Sequence, residues 1–246
     1  MGGSRPSGRG GLVEPDQPEA PAAGVEPVEP ADPADLADLT AGVHRRGTEE
    51  FSRFTGFSDG VFGFAMTLLI STVAVPAVAV RELGDALRGQ VPDLLAFFVS
   101  FAVIGFYWLS HHRMFAAFGA VTTRVMRLNL VYLVLIAFLP FPTALFGRYT
   151  EEPISVLLYA VALSGASLVE VMILREARRD GLLRVALPDD AYRAVLVAAL
   201  VPVGVFAVSA LVALVAAGWA PFVWLLIAPV EALLGRRQPA AARIFG

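Results

Sequence analysis

The chain has 246 residues, 57% of them hydrophobic and only 17% charged, with a mean hydropathy of +0.67. That balance exceeds what soluble domains carry and marks a polytopic membrane protein. Net charge is −3, and the lack of any cysteine excludes disulfides, thiolate metal sites and cysteine nucleophiles.

Residues 1–48 are rich in Pro, Ala, Gly, Asp and Glu and hold no apolar run, so a disordered N-terminal tail is expected there, with room for a short helix around 35–44. No apolar stretch followed by a small-residue cleavage site reads as a secretory signal. Six apolar segments follow, at roughly 56–79, 93–115, 125–147, 154–174, 192–216 and 219–235. The first five match the roughly 20 residues that span a bilayer. The sixth is shorter and is interrupted by Pro221 and Pro229. The expected organisation is therefore a tail (1–48), a six-helix transmembrane domain (49–237) and a short C-terminal tail (238–246).

Charge orients the bundle. Arg45, Arg46 and Arg53 precede the first segment, Arg113, Arg124 and Arg127 follow the second, and Arg175, Arg178, Arg179, Arg184 and Arg193 follow the fourth. Arg236, Arg237 and Arg243 end the chain, whereas the alternate connections hold only Arg81, Arg88 and Arg148. Positive charge stays on the cytoplasmic side, so both termini are expected there, with an even number of spans in the cell membrane. The same arginines explain themselves as membrane orientation, and no nucleic-acid partner is inferred. Trp219, Trp224 and Tyr149 suit interfacial belts.

The first segment opens with a charge problem. Arg53 and Asp59 lie on different faces of a helix, and after Asp59 no charge appears until Arg81. A carboxylate at the mouth of an apolar helix is costly and needs a partner. Trp108, His111 and His112 close the second segment, and Asn129 begins the third at the same membrane depth. A network of Arg53, Ser58, Asp59, Trp108, one of the histidines and Asn129 satisfies groups that lipid cannot, with a histidine donating to Asp59. Adjacent histidines point apart on a helix, so they do not share one metal, and neither a metal site nor a cofactor is expected.

Beyond Asp59, Gly60, Phe64, Thr67, Ser71 and Ala74 recur at spacings of four and three and line one helix face. Such a face is either a seam between helices, where small and hydroxylated residues are common, or a pore wall with an apolar constriction at Phe64 and hydroxyl rings at Thr67 and Ser71. Spacing alone leaves both open and favours the seam. Leu139-Pro-Phe-Pro-Thr143 reads as a bent helix, and Glu170 and Glu231 as carboxylates near the cytoplasmic ends, the former within reach of Arg175.

Three stretches together resemble the prokaryotic transmembrane protein 175 family, relatives of the lysosomal and endosomal potassium channel. They are Arg53…Phe57-Ser58-Asp59, Trp108…His111-His112…Phe115, and Asn129…Leu139-Pro140-Phe141-Pro142-Thr143, in that order within residues 50–150. The resemblance implies an all-α subunit of six transmembrane helices. It implies a homotetramer whose pore is lined by the first helix. It places the motif Arg53, Phe57, Ser58 and Asp59 in a packing hub, with Trp108, His111 and His112 as partners. It puts the constriction at Phe64 and further pore positions at Thr67 and Ser71. The family usually has Ile or Leu at the constriction and an aliphatic residue at the last position, so Phe64 and Ser71 depart from its pattern.

The expected function is a potassium-permeable cation channel that conducts passively, exchanging monovalent cations transiently and contacting lipid. A proton-coupled secondary transporter is the alternative, motivated by Asp59, the His pair, Glu170 and the Pro-broken helices. An enzyme is not expected, because no nucleophile and base converge at one depth.

Overall fold

The computed structural model describes residues 1–2, 37, 40–149, 151–237, 239 and 242. Most of the expected disordered tail and of the segment 238–246 lies outside the described residues; of the short helix expected around 35–44, helical backbone is described at 37, 40 and 41, and the chain turns at Gly42 into a strand that starts at Val43.

A small sheet precedes the helices. Strand β1 (Val43–Arg45) pairs antiparallel with β2 (Ala120–Thr122), with His44 opposite Val121. The sheet is a small addition to an otherwise helical chain and gives the end of the tail a fixed place. Gly42 (φ +65°) and Gly47 (φ +97°) hold left-handed backbone on either side of β1, which turns the chain into and out of the strand. Gly42 has a second constraint, because a Cβ there would collide with Thr123 Oγ1. Strands of three residues carry no periodicity to read in advance.

Helix α1 (Glu49–Leu68) starts at Thr48, whose hydroxyl accepts from the Phe51 N–H at 3.3 Å. Glu49 and Glu50 occupy its first turn, where the helix dipole favours carboxylates. It tightens into a 3₁₀ turn over Leu69–Thr72 and stops, short of the expected end at residue 79. Pro76 and the β-branched Val73, Val75 and Val78 divert the chain into irregular backbone.

The remaining helices are α2 (Leu83–Gly89), α3 (Val91–Ala116), α4 (Thr123–Phe138), α5 (Pro140–Arg148), α6 (Pro153–Arg179), α7 (Asp189–Ala216) and α8 (Ile227–Arg237). Helices α4 and α5 form one run bent at Leu139. Pro140 has no N–H, and the Leu139 N–H donates to Ile136 O at 3.1 Å rather than one residue further back. After Ala216 the chain folds back on α7 as a 3₁₀ helix (Ala217–Leu226) that continues into α8. Ser209 Oγ donates to Ala220 O at 2.9 Å and accepts from Trp224 Nε1 at 2.8 Å, which ties the return to α7.

Among the described residues, five stretches are long and apolar enough to cross a membrane: Glu49–Thr72, Val91–Ala116, Thr123–Arg148, Pro153–Arg179 and Asp189–Arg236. The last runs 48 residues and contains the reversal. Helix α6 is the hub, with 61% of its apolar window buried against 28% for α1 and for α3. The two outer helices thus keep open faces. Trp224 is part of the core rather than of an interfacial belt: it stacks on Tyr159 with centroids 4.6 Å apart. Trp219 and Tyr149 are exposed.

Candidate functional site: the two faces of the first helix

The helical period divides α1. Phe51, Phe54, Ser58, Phe62, Ala65 and Leu69 are buried, where α1 packs on α3 and α4. Phe57, Gly60, Phe64, Thr67 and Ser71 are exposed in the protomer, Phe64 at 67% of its surface. A Cβ added at Gly56, Gly60 or Gly63 meets nothing within 4 Å, so these glycines are not required by packing inside one chain.

The open face is neutral but not inert. Thr67 Oγ1 donates to Phe64 O at 2.9 Å, and Ser71 Oγ donates to Leu68 O at 2.6 Å. With its hydrogen committed to the helix, each oxygen offers only lone pairs outward, which suits a cation or a donor.

The buried face carries a directed hydrogen-bond chain. Ser58 Oγ donates to Phe54 O at 3.1 Å and therefore accepts from Asn129 Nδ2 at 2.9 Å. Asn129 Oδ1 then accepts from His111 Nε2 at 2.8 Å, which places the proton on Nε2. The His111 ring stacks on Tyr132 (centroids 5.3 Å, 29°) and packs against Phe62 and Phe115. Ser58, His111 and Asn129 are each at most 2% exposed. The Ser58 hydroxyl, the Asn129 amide and the His111 Nε2–H each have a partner, as burial in an apolar bundle demands.

A second, exposed layer lies beside it. Trp108 Nε1 donates to Asp59 Oδ1 at 2.9 Å, and the His112 ring lies 5.5 Å from Trp108. The single network expected from sequence is thus two. Consecutive helical residues point about 100° apart, so Ser58 and Asp59 diverge, as do His111 and His112. The indole, not an imidazole, serves Asp59. Arg53 joins neither layer: it pairs with Glu49 one turn back at 3.1 Å, both side chains at least 76% exposed. Phe57 is 56% exposed and projects away from the core.

One residue in this region carried no sequence signal. Arg46 Nη1 reaches Phe115 O, Ala116 O and Phe118 O at 3.3, 3.1 and 3.2 Å. A guanidinium on the last carbonyls of α3 complements the negative end of the helix dipole. Its partners lie about 70 residues away in sequence, and only the β1–β2 pairing brings them together. Arg46, Thr55, Asp59, His111 and His112 line a cavity of about 150 Å³. Among the described residues no His, Asp and Glu group is arranged to hold a metal ion.

Comparison with known proteins returns to the same region. A family described as the endosomal/lysosomal potassium channel TMEM175 matches residues 53–140. A potassium channel of Streptomyces collinus is 43% identical over 104 residues, covering 42% of this chain and 50% of that protein. A potassium channel of Chamaesiphon minutus is 39% identical over 107 residues, covering 42% of this chain and 53% of that protein. The chain thus spans about half the length of the curated relatives it matches. An endosomal/lysosomal proton channel of Mus musculus is 26% identical over 139 residues, 53% of this chain and 27% of that protein. Among solved structures, the lysosomal potassium-selective channel TMEM175 homolog from Chamaesiphon minutus superposes with a TM-score of 0.65 at 28% identity, covering 76% of this chain and 98% of that one.

Proposed function

We propose, from the premise that the chain belongs to the transmembrane protein 175 family, that it is a passive, potassium-permeable cation channel of the cell membrane. The observation that carries this reading is the open face of α1. It holds no charge between Asp59 and Arg81, two hydroxyls with outward lone pairs and a large exposed phenyl ring at Phe64. One protomer cannot enclose an ion with a single helix face, so the reading requires cyclic assembly. Four protomers close around that face, with Phe64 as the hydrophobic constriction and Gly60, Thr67 and Ser71 lining the path on either side.

The return of residues 217–237 along α7 counts as a sixth span, so both termini lie on the Arg-rich, cytoplasmic side. Potassium is taken from the names of the bacterial relatives. The absence of a titratable side chain along the open face supports it over the proton named for the mouse relative. Ser58, Asn129 and His111, with Asp59 and Trp108, act as the anchor that fixes α1 rather than as ion ligands.

Potassium flux into liposomes holding the purified protein tests this. Flux is expected in the wild type and is raised in Phe64→Ala. No flux in either overturns the channel. A proton-coupled transporter, the alternative that Asp59 motivates, predicts instead a saturating, gradient-coupled flux that loses its coupling in Asp59→Asn.

A further inference from the structure

Helix α3 has a second side that the open face of α1 does not touch. A partly open cavity of about 410 Å³ lies between α3, α6, the first half of α7 and α8, with Ala242 also on its wall. It lies at the Arg-rich end of the bundle, within the size range of small-molecule sites. Its wall is mostly apolar, including Phe106, Leu174, Val195 and Pro202, and it carries two carboxylates, Glu170 and Glu231, against one guanidinium, Arg113.

Glu170 is the informative group. It is 6% exposed, and its Oε1 accepts from Ser110 Oγ at 2.6 Å. The local pair with Arg175 expected from sequence does not form. Glu170 Oε2 makes no hydrogen bond to a described residue and is not among the sealed unpaired atoms, so it opens on the cavity, and among the described residues no ion pair within 4.0 Å joins Arg113 to either carboxylate. A buried carboxylate with an unanswered oxygen facing a cavity calls for a donor or a cation.

A bare divalent cation is a poor match, because it needs six or more oxygen ligands, and no metal-holding group occurs among the described residues. An anion meets two carboxylates. A head group with several N–H donors on an apolar body matches both halves of the wall.

We propose that this cavity binds an amphiphilic organic ammonium ion, its head between Glu170 and Glu231 and its hydrocarbon against Phe106, Leu174 and Val195. The site is independent of the channel reading, since it lies across α3 from the open face of α1 and its readout is binding.

The test is calorimetric titration of n-hexylammonium into the full-length protein in lipid nanodiscs, with empty nanodiscs subtracted. Saturable binding is expected in the wild type, together with a rise in the thermal unfolding midpoint. Neutral n-hexanol is expected to show no saturable binding. Glu170→Gln weakens the affinity by about tenfold or more, the loss of one charged contact. Ala198→Phe, which fills the cavity from α7, abolishes it, and Thr67→Val on α1 leaves it unchanged. Where Glu170→Gln does not yield folded protein, the more accessible Glu231→Gln and the steric Ala198→Phe decide the matter. The proposal is overturned by absent binding in the wild type, by hexanol binding as well as hexylammonium, or by wild-type affinity in the carboxylate and steric variants.

Discussion

Ser58 and Ser71 are the same side chain on the two faces of one helical stretch, and both hydroxyls donate to a carbonyl of their own turn. The difference is what the oxygen receives. Ser58 accepts from Asn129 and is sealed between α1, α3 and α4. Ser71 is exposed and accepts from no described residue. On the buried face each polar group is answered within the protomer. On the open face the hydroxyls are satisfied only by their own helix. The contrast separates residues that build the subunit from residues left for something outside it.

The buried side breaks hardest at Asn129. Asn129→Leu orphans the His111 N–H and removes the bond to Ser58, with an expected loss of about 2–4 kcal/mol. Thermal or denaturant unfolding in detergent measures it. Adding His111→Phe removes the orphan as well, so the double variant is expected to recover to within about 1 kcal/mol of wild type. A double variant as unstable as the single one means that the chain Ser58–Asn129–His111 does not act as a unit.

The open side breaks at Phe64. Phe64→Ala removes a ring that is 67% exposed in the protomer, so unfolding should hardly move while potassium flux rises. Lowering a dehydration barrier by about 1.4 kcal/mol gives about a tenfold increase. Flux unchanged in Phe64→Ala removes the constriction from this residue and leaves the buried-face prediction standing.

Much of this division was legible in the residues. The 3.6-residue period put Gly60, Phe64, Thr67 and Ser71 on one face, because burial follows helical geometry. The bend at Pro140 was legible for the same kind of reason, a missing N–H. What sequence did not yield depends on chains meeting from afar. The Arg46 cap on α3 needs the β1–β2 pairing, and three-residue strands carry no signal. Trp224 reads as a belt residue by composition, yet the return along α7 buries it on Tyr159. The single polar network divided because neighbouring residues on one helix point apart, which a list of candidate partners does not reveal.

The exposed layer offers an intermediate case. Trp108→Phe keeps the ring but removes the N–H that serves Asp59 at 2.9 Å. Asp59 is exposed and Trp108 half-buried in the protomer, so water reaches the carboxylate and replaces the bond, and the expected cost is about 1 kcal/mol. A loss as large as that of Asn129→Leu places Asp59 in a dry contact between protomers, and it then joins the buried side of the comparison.

The smallest change is the most discriminating. Thr67→Val keeps shape and removes only the outward oxygen. A seam between helices and a pore wall make opposite demands on it. In a seam the valine packs in place of the threonine, so stability or assembly shifts and ion selectivity does not. In a pore the oxygen faces the permeant cation, so unfolding moves by less than about 0.5 kcal/mol, as for an exposed surface substitution, while the potassium-to-sodium permeability ratio changes. Bi-ionic reversal potentials in planar bilayers read the second quantity and unfolding reads the first. A shift in stability with an unchanged ratio assigns Thr67 to the seam, and the open face of α1 then becomes an assembly surface rather than a conduction path.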